Sequence, residues 1–77
     1  MLINIKLLNG RILSIDLEPT DKISDLKAKL EEIEGITPEQ QRLVFGGRQL
    51  GDDKTLQELN IQPGTQINLL LALRGGF

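Results

Sequence analysis

The chain begins with MLINIKLLNGRILSIDL, residues 1–17, and the rest of the architecture builds on this stretch. Apolar residues occupy odd positions on both sides of Asn9-Gly10, and polar residues such as Asn4 and Ser14 alternate with them. This alternation is typical of strands with one buried face, and Asn-Gly is a strong signal for a tight hairpin turn. The stretch therefore predicts an antiparallel hairpin whose odd residues face the core.

Residues 22–34 predict a helix. Apolar residues recur there at helical spacing, at Ile23, Leu26, Leu30 and Ile33. Thr20 or Asp21 is a suitable residue to cap the start of this helix. Gly35 is a natural C-cap, and Pro38 prevents the helix from resuming, so the helix is expected to end at Glu34.

The other strands are expected after the helix. We expect a short third strand at residues 42–45, a polar connector at 48–64 and a last strand at 66–73. The order ββαββ predicts an α+β roll in which one sheet face covers the helix. Residues 1–72 would form a single domain, and residues 73–77 would form a mobile tail.

The same patterns predict the core. The residues expected to face inward are Met1, Ile3, Ile5, Leu7, Leu13, Ile15, Leu17, Ile23, Leu26, Leu30, Leu43, Phe45, Leu50, Leu56, Ile61, Ile67 and Leu69. Lys27 lies at the edge of the apolar stripe of the helix, and we expect its stem to pack along the core with the ammonium either paired or extended to solvent. Burying a side chain of this set contributes roughly 1.5–3 kcal/mol, which makes a small independent domain plausible.

Composition excludes several classes of function. The 77 residues contain no cysteine and no histidine, which removes disulfides, thiol catalysis, the usual zinc sites and histidine acid–base catalysis. The net charge of −2 is too balanced for nucleic-acid binding through the overall field. Asp52, Asp53 and Glu58 have no base or nucleophile in sequence to accompany them, so we expect no enzyme, no metal and no cofactor. We also expect no membrane association, because no apolar run approaches the length of a membrane span.

Some apolar residues break the inward pattern. Leu8, Val44 and Leu70 occupy even positions, and they would converge on the outer face of the sheet. They are either ordinary scattered exposed residues or the anchors of a docking surface. The basic and polar residues expected around such a surface are Lys6, Arg42, Arg48 and Asn68.

The end of the chain extends past the expected core as LALRGGF, residues 71–77. Either this segment is a frayed terminus, or its glycines let an extended chain enter a narrow channel, since glycine has no Cβ. The carboxylate of a terminal glycine is the least hindered acyl group that a polypeptide can present. Phe77 would mask the carboxylate of Gly76 until one peptide bond is cut.

Residues spread over the whole chain carry a family resemblance. They include Glu18-Pro19, Lys27-Ala28-Lys29, Glu34-Gly35-Ile36, Gln40-Gln41-Arg42-Leu43, Phe45, Gln49-Leu50, Thr55-Leu56, Asn60-Ile61-Gln62, Leu71 and Leu73-Arg74-Gly75-Gly76. The chain resembles ubiquitin and its closest relatives over its full length and without gaps. The resemblance implies the β-grasp fold, a mixed sheet packed on one α-helix.

Within the family the chain is similar to the Rub (Nedd-type) modifier. Met1-Leu2-Ile3, Asp53-Lys54-Thr55 and the segment 71–76 carry this similarity. Ala72 stands where ubiquitin has an arginine, and a guanidinium needs an acidic partner that a pocket built for alanine lacks. Ala72 therefore favours the activating enzyme of the Rub pathway over that of the ubiquitin pathway.

The resemblance implies a monomeric protein modifier of the cytoplasm and nucleus. A processing hydrolase would remove Phe77, and the carboxylate of Gly76 would then pass through activating, conjugating and ligase enzymes to target-protein lysines, with cullin-type ligase scaffolds as targets. The tail residues implied in recognition by these enzymes are Leu71, Ala72, Leu73, Arg74 and Gly75. The implied partner-binding patch consists of Leu8, Arg42, Val44, Asn68 and Leu70.

The sequence departs from ubiquitin at several lysines. Ubiquitin has chain-forming lysines at the positions of Arg11, Ile33, Arg48 and Pro63. The possible chain lysines that remain are Lys6, Lys27 and Lys29. Asn68 replaces a histidine that borders the patch in both relatives.

Two alternatives stay open. The chain could be charged by the ubiquitin pathway itself. It could also be a non-covalent binding module whose tail is inert. A redesigned ubiquitin scaffold is a further form of this alternative, because Ala28, Gln49-Leu50 and Asn60-Ile61-Gln62 resemble ubiquitin rather than Rub.

Overall fold

The computed structural model describes residues 1–71, which form one mixed five-stranded sheet and one α-helix. The elements are β1 (Leu2–Lys6), β2 (Ile12–Asp16), α1 (Ile23–Glu34), β3 (Gln41–Phe45), β4 (Arg48–Gln49) and β5 (Gln66–Leu71). The strand order is β2-β1-β5-β3-β4, with β1 and β5 parallel and the other pairs antiparallel. This architecture confirms the predicted α+β roll. The two-residue strand β4 was not predicted, because its residues were assigned to a polar connector.

The β1–β2 hairpin confirms the prediction from residues 1–17. Its turn is closed by two backbone hydrogen bonds, from the N–H of Gly10 to the carbonyl of Leu7 at 3.0 Å and from the N–H of Leu7 to the carbonyl of Arg11 at 2.8 Å. Gly10 has φ 88°, in the left-handed region that glycine enters without a steric penalty. The loop therefore contains three residues, Leu8, Asn9 and Gly10, and the inward parity of β1 continues into β2.

The helix α1 begins at Ile23, one residue later than predicted. Lys22 is the N-cap, and its backbone N–H donates to the carboxylate of Asp25 at 2.9 Å. The expectation that Thr20 or Asp21 caps the helix is wrong, because the carboxylate of Asp21 accepts from a backbone N–H of the preceding turn. The predicted C-cap is confirmed: Gly35 is left-handed, with φ 72°.

Backbone from the connector at residues 48–64 covers the start of α1. The N–H of Ile23 donates to the carbonyl of Lys54 at 2.9 Å, and the N–H of Ser24 donates to the carbonyl of Asp52 at 3.0 Å. The first N–H groups of any helix lack partners within the helix. The connector supplies those partners, and this ties the segment after β4 to the helix.

The core lies between α1 and the inner face of the sheet. Its buried apolar side chains are Ile3, Ile5, Leu7, Ile15, Leu17, Ile23, Leu26, Leu30, Leu43, Leu50, Leu56, Ile61, Ile67 and Leu69. All of them were predicted to face inward, and Met1, Leu13 and Phe45 from the predicted set are only partly buried. Ile33, which continues the apolar spacing in the sequence, lies in the last turn of α1 and is 54% exposed.

Candidate docking surface

Strand register brings the predicted patch residues together on the outer face of the sheet. Asn68 of β5 lies opposite Lys6 of β1 on one side and opposite Val44 of β3 on the other. Two residues further along β5, Leu70 lies opposite Arg42. Side chains of directly opposed residues share a sheet face, so these residues of three neighbouring strands form one surface.

Leu8 completes this surface from the hairpin turn. It is 62% exposed, Leu70 is 43% exposed, and Val44 is half-buried. Leu8, Val44 and Leu70 line one shallow groove together with Lys6 and Asn68. The three apolar residues are therefore clustered rather than scattered. We call this surface, with Arg42 beside it, the outer patch.

The rim of the outer patch differs from the expectation at β4. Val44 lies opposite Gln49, and Phe45 lies opposite Arg48, so Gln49 shares the outer face while Arg48 does not. A side-chain N–H of Arg42 donates to Oε1 of Gln49 at 3.3 Å, which holds the guanidinium at this edge. Arg48 instead lines a neighbouring groove with Phe45.

A second apolar groove adjoins the outer patch. It is lined by Leu8, Ile36 and Leu71, with Asn9 and Glu34 at its edge. Leu71 is 42% exposed, and Ile36 is half-buried directly after the C-cap of α1. Leu8 thus belongs to two surfaces. Ile36 was not predicted to belong to a surface, because it follows the glycine that ends the helix and so lies outside the helical apolar stripe.

The candidate chain lysines occupy different environments. Lys6 is exposed on β1, and Lys29 is exposed on α1, where its Nζ donates to the carbonyl of Asp16 at 3.1 Å. Lys27 is buried, and its Nζ contacts Oδ1 of Asp52 at 2.6 Å, which confirms the expected packing of its stem and shows that its ammonium is paired. A buried, paired ammonium is a poor nucleophile, so Lys27 is the least accessible of the three lysines.

The remaining site predictions lie outside the described residues. They are the conjugation residue Gly76, the processing site at Gly76-Phe77 and the recognition residues Ala72, Leu73, Arg74 and Gly75. The predicted boundary between domain and tail at residue 72 lies there too. Within residues 1–71 no three acidic side chains are grouped closely enough to share a metal ion. In the same part of the chain, no helix has the length and apolarity that a membrane span requires.

A mixed five-stranded sheet that covers one helix defines a β-grasp domain, and the outer face of this sheet presents an apolar patch beside basic residues. The sequence pattern described as the ubiquitin family matches residues 3–74. "Ubiquitin-like protein NEDD8" of Dictyostelium discoideum is 55% identical over 77 residues, which cover all of both chains. "Ubiquitin-like protein 1" of Schizosaccharomyces pombe is 46% identical over 99% of this chain and 97% of the relative. "NEDD8-like protein RUB1" of Saccharomyces cerevisiae is 42% identical over 99% of each.

The chain belongs to the ubiquitin family. It is a ubiquitin-like modifier of the NEDD8/Rub type, and proteins of this type are modifiers rather than enzymes. Its partners are enzymes of a ubiquitin-like pathway and target proteins.

Proposed function

We propose that this modifier is conjugated through the carboxylate of Gly76 to lysines of target proteins, with cullin-type ligase scaffolds among them. The similarity to NEDD8-type proteins over the full length of the chain is the observation that carries the proposal. A hydrolase would first cut the peptide bond between Gly76 and Phe77. The freed carboxylate would be activated as an adenylate by an enzyme with its own ATP, and it would then pass as a thioester to a lysine amine.

The segment 71–75 guides the carboxylate into these enzymes. Glycines at 75 and 76 have no Cβ, so an extended chain can pass through a narrow channel to the catalytic cysteine. Ala72 presents no charge to the activating enzyme, which favours a pocket without an acidic partner. Leu71, Leu73 and Arg74 supply the apolar and charged contacts along the same segment.

The outer patch supplies affinity for partners. Leu8 and Leu70 are large apolar side chains that leave water when a partner covers them, and such anchors dominate the free energy of binding in most interfaces. Lys6 and Arg42 beside them favour partners with acidic residues around an apolar centre. Lys6 and Lys29 are the proposed acceptors if the modifier forms chains. We place the protein in the cytoplasm and nucleus, where these pathways operate, as a monomer.

A thioester assay tests the proposal. The full chain would be treated with a Rub-processing hydrolase, incubated with ATP and either the Rub or the ubiquitin activating enzyme, and separated without reductant. We expect an adduct on the Rub enzyme that reductant removes. An adduct on the ubiquitin enzyme alone would assign the chain to the ubiquitin pathway, and no adduct on either would leave a non-covalent binding module.

Two variants sharpen the assay. Ala72→Arg should move charging towards the ubiquitin activating enzyme, because the added guanidinium finds its acidic partner there. Gly76→Ala should abolish the adduct on both enzymes. Neither variant touches the described core, so far-ultraviolet circular dichroism should be unchanged for both.

A further inference from the structure

The tip of the β1–β2 hairpin carries the only asparagine of the chain that precedes a glycine. The other asparagines, Asn4, Asn60 and Asn68, precede large isoleucine or leucine residues. Asn9 and Gly10 are both exposed. We propose that Asn9 is a site of spontaneous deamidation, which converts the residue beside Leu8 into aspartate or isoaspartate and so alters the outer patch.

The reaction needs only water and the chain itself. The backbone nitrogen of Gly10 loses its proton to solvent and attacks Cγ of Asn9, which forms a five-membered succinimide and expels the side-chain amide as ammonia. Water then opens the ring. Cleavage of the bond to Cγ leaves an aspartate, and cleavage of the bond to the backbone carbonyl carbon leaves an isoaspartate. Glycine permits the attack best, because it has no Cβ to crowd the approaching nitrogen.

The turn geometry favours the side-chain carbonyl as the electrophile. Oδ1 of Asn9 accepts a hydrogen bond from the backbone N–H of Arg11 at 3.0 Å. This bond draws electron density from Cγ. It also folds the side chain of Asn9 back over the backbone between Asn9 and Arg11, where the nitrogen of Gly10 lies. The space on the Cα of Gly10 is open: apart from Gly10 and its two chain neighbours, no residue has an atom within 4 Å of the position that a Cβ would take.

One hydrogen bond opposes the reaction and slows it. The N–H of Gly10 donates to the carbonyl of Leu7 at 3.0 Å, and it must break before the nitrogen can attack. This bond lies at the solvent-exposed end of a hairpin, where opening costs little free energy. The folded protein should therefore react more slowly than the unfolded chain, but it should still react.

The products change the surface around Leu8. Either product adds a negative charge at the edge of a groove that already contains Glu34. Isoaspartate also inserts a methylene into the backbone of a three-residue loop that is closed by the bond between Leu7 and Arg11. The loop must then rearrange and displace Leu8. The effect on partners rests on the proposed docking role of the outer patch, whereas the modification itself does not.

Prolonged incubation of the folded full chain tests the modification. The protein would be held in mildly alkaline buffer at physiological temperature and digested at intervals. Deamidation of each asparagine would be measured as the mass gain that accompanies replacement of the side-chain NH2 by OH. Isoaspartate would be measured by enzymatic methylation. We expect Asn9 to react at least about tenfold faster than Asn60, which is also exposed but precedes a β-branched residue. Equal rates at the two sites would overturn the proposal.

Two controls separate the fold from the sequence. In Asn9→Gln the amide is kept but a five-membered ring cannot form, so the modification at this position should disappear. A sample denatured in urea gives the rate for the unfolded chain, and reaction there with none in the folded protein would overturn the proposal.

Amide hydrogen exchange tests the structural consequence without any partner. The isoaspartyl form would be purified by ion exchange, and exchange at the N–H of Leu7 should be faster in it than in the unmodified protein. Unchanged exchange at Leu7 would overturn the predicted rearrangement of the loop. Because neither readout involves Gly76 or an activating enzyme, failure here is distinguishable from failure of the proposed conjugation.

Discussion

Lys27 joins three parts of the molecule through two of its groups. Its Nζ donates to Oδ1 of Asp52 at 2.6 Å, and its backbone carbonyl accepts from Nε2 of Gln41 at 2.9 Å. The first contact connects α1 to the loop after β4, and the second connects α1 to the start of β3. A buried lysine at the edge of the helical stripe thus fixes how the connector and the sheet pack on the helix.

Asp52→Asn should destabilise the protein by about 1 kcal/mol, because it leaves the buried ammonium of Lys27 without its negative partner. The value is modest, since the Asp52 side chain is 62% exposed and water screens the pair. Urea unfolding measures the loss. Asp53→Asn is the matched control, and it should change the free energy of unfolding little. Adding Lys27→Met to Asp52→Asn should recover stability, and a further loss in the double variant would contradict this account.

Gln41→Leu should destabilise the fold by about 1–3 kcal/mol, although leucine is close in size and more apolar. Nε2 of Gln41 donates to the carbonyls of both Lys27 and Ile36, each at 2.9 Å, and the residue is buried. Leucine removes both donors and leaves the Ile36 carbonyl without this partner. Gln40→Leu at the exposed neighbouring position is the control for urea unfolding. Equal midpoints for the two variants would show that these hydrogen bonds contribute nothing to stability.

The core was predictable because alternation and helical spacing are properties of the chain itself. The loop between β1 and β2 has an odd number of residues, three. Odd-numbered residues of β1 therefore lie opposite odd-numbered residues of β2, as Ile5 and Leu13 do. The single rule that odd-numbered residues face the core therefore held for both strands. Gln41 was missed, because a buried polar residue is recognisable only when its hydrogen-bond partners on other segments are known.

The rim of the outer patch was not predictable by the same rule. Gly46 and Gly47 both have positive φ, and they form a two-residue turn between β3 and β4. A two-residue turn reverses parity, so Val44 faces Gln49 and Arg48 goes to the other face. The sequence predicts a strand that ends at Phe45 and a connector without strands from residue 48, so no strand pairing fixes the face of Arg48 or Gln49. Recognising the two glycines as a hairpin turn would have assigned Gln49 to the rim.

The pKa of Asp16 should rise when the N-terminal amine is acetylated. The amine of Met1 donates to Oδ1 of Asp16 at 2.9 Å, and this hydrogen bond, together with the positive charge, lowers the pKa of Asp16 below its ordinary value. A lowered pKa stabilises the fold at pH above the ordinary pKa of aspartate, and this contribution is lost as pH falls through the lower folded value. Acetylation removes the charge and weakens the donor.

A carboxyl-carbon NMR titration measures this change. Glu58 is the internal control, because its pKa is lowered mainly by hydrogen bonds from the backbone and hydroxyl of Thr55, which acetylation does not touch. We expect Asp16 to move and Glu58 to stay. Equal curves for Asp16 before and after acetylation would contradict the pairing with Met1.

Leu8→Ala should raise the concentration of modifier needed for half-maximal charging of the Rub activating enzyme by about tenfold, if this enzyme covers the outer patch. Leu8 is 62% exposed, so the free energy of unfolding should change little. Ile33→Ala is the matched control, because Ile33 is 54% exposed on α1, away from the patch. Similar losses for both variants would indicate a general effect of exposed apolar surface and would contradict a docking role for Leu8.

Asn68→His should introduce a pH switch into the outer patch. Position 68 faces Lys6 across β1 and β5, and a neighbouring positive charge disfavours the protonated imidazole. The pKa of the introduced histidine should therefore lie below its ordinary value, and adding Lys6→Gln should raise it. Ring-proton NMR titration of the single and double variants measures this shift. If the two pKa values are equal, Lys6 does not act on position 68. If they differ as expected, the charge of Lys6 acts on position 68. The natural asparagine adds no titrating group beside Lys6, because its amide does not ionise.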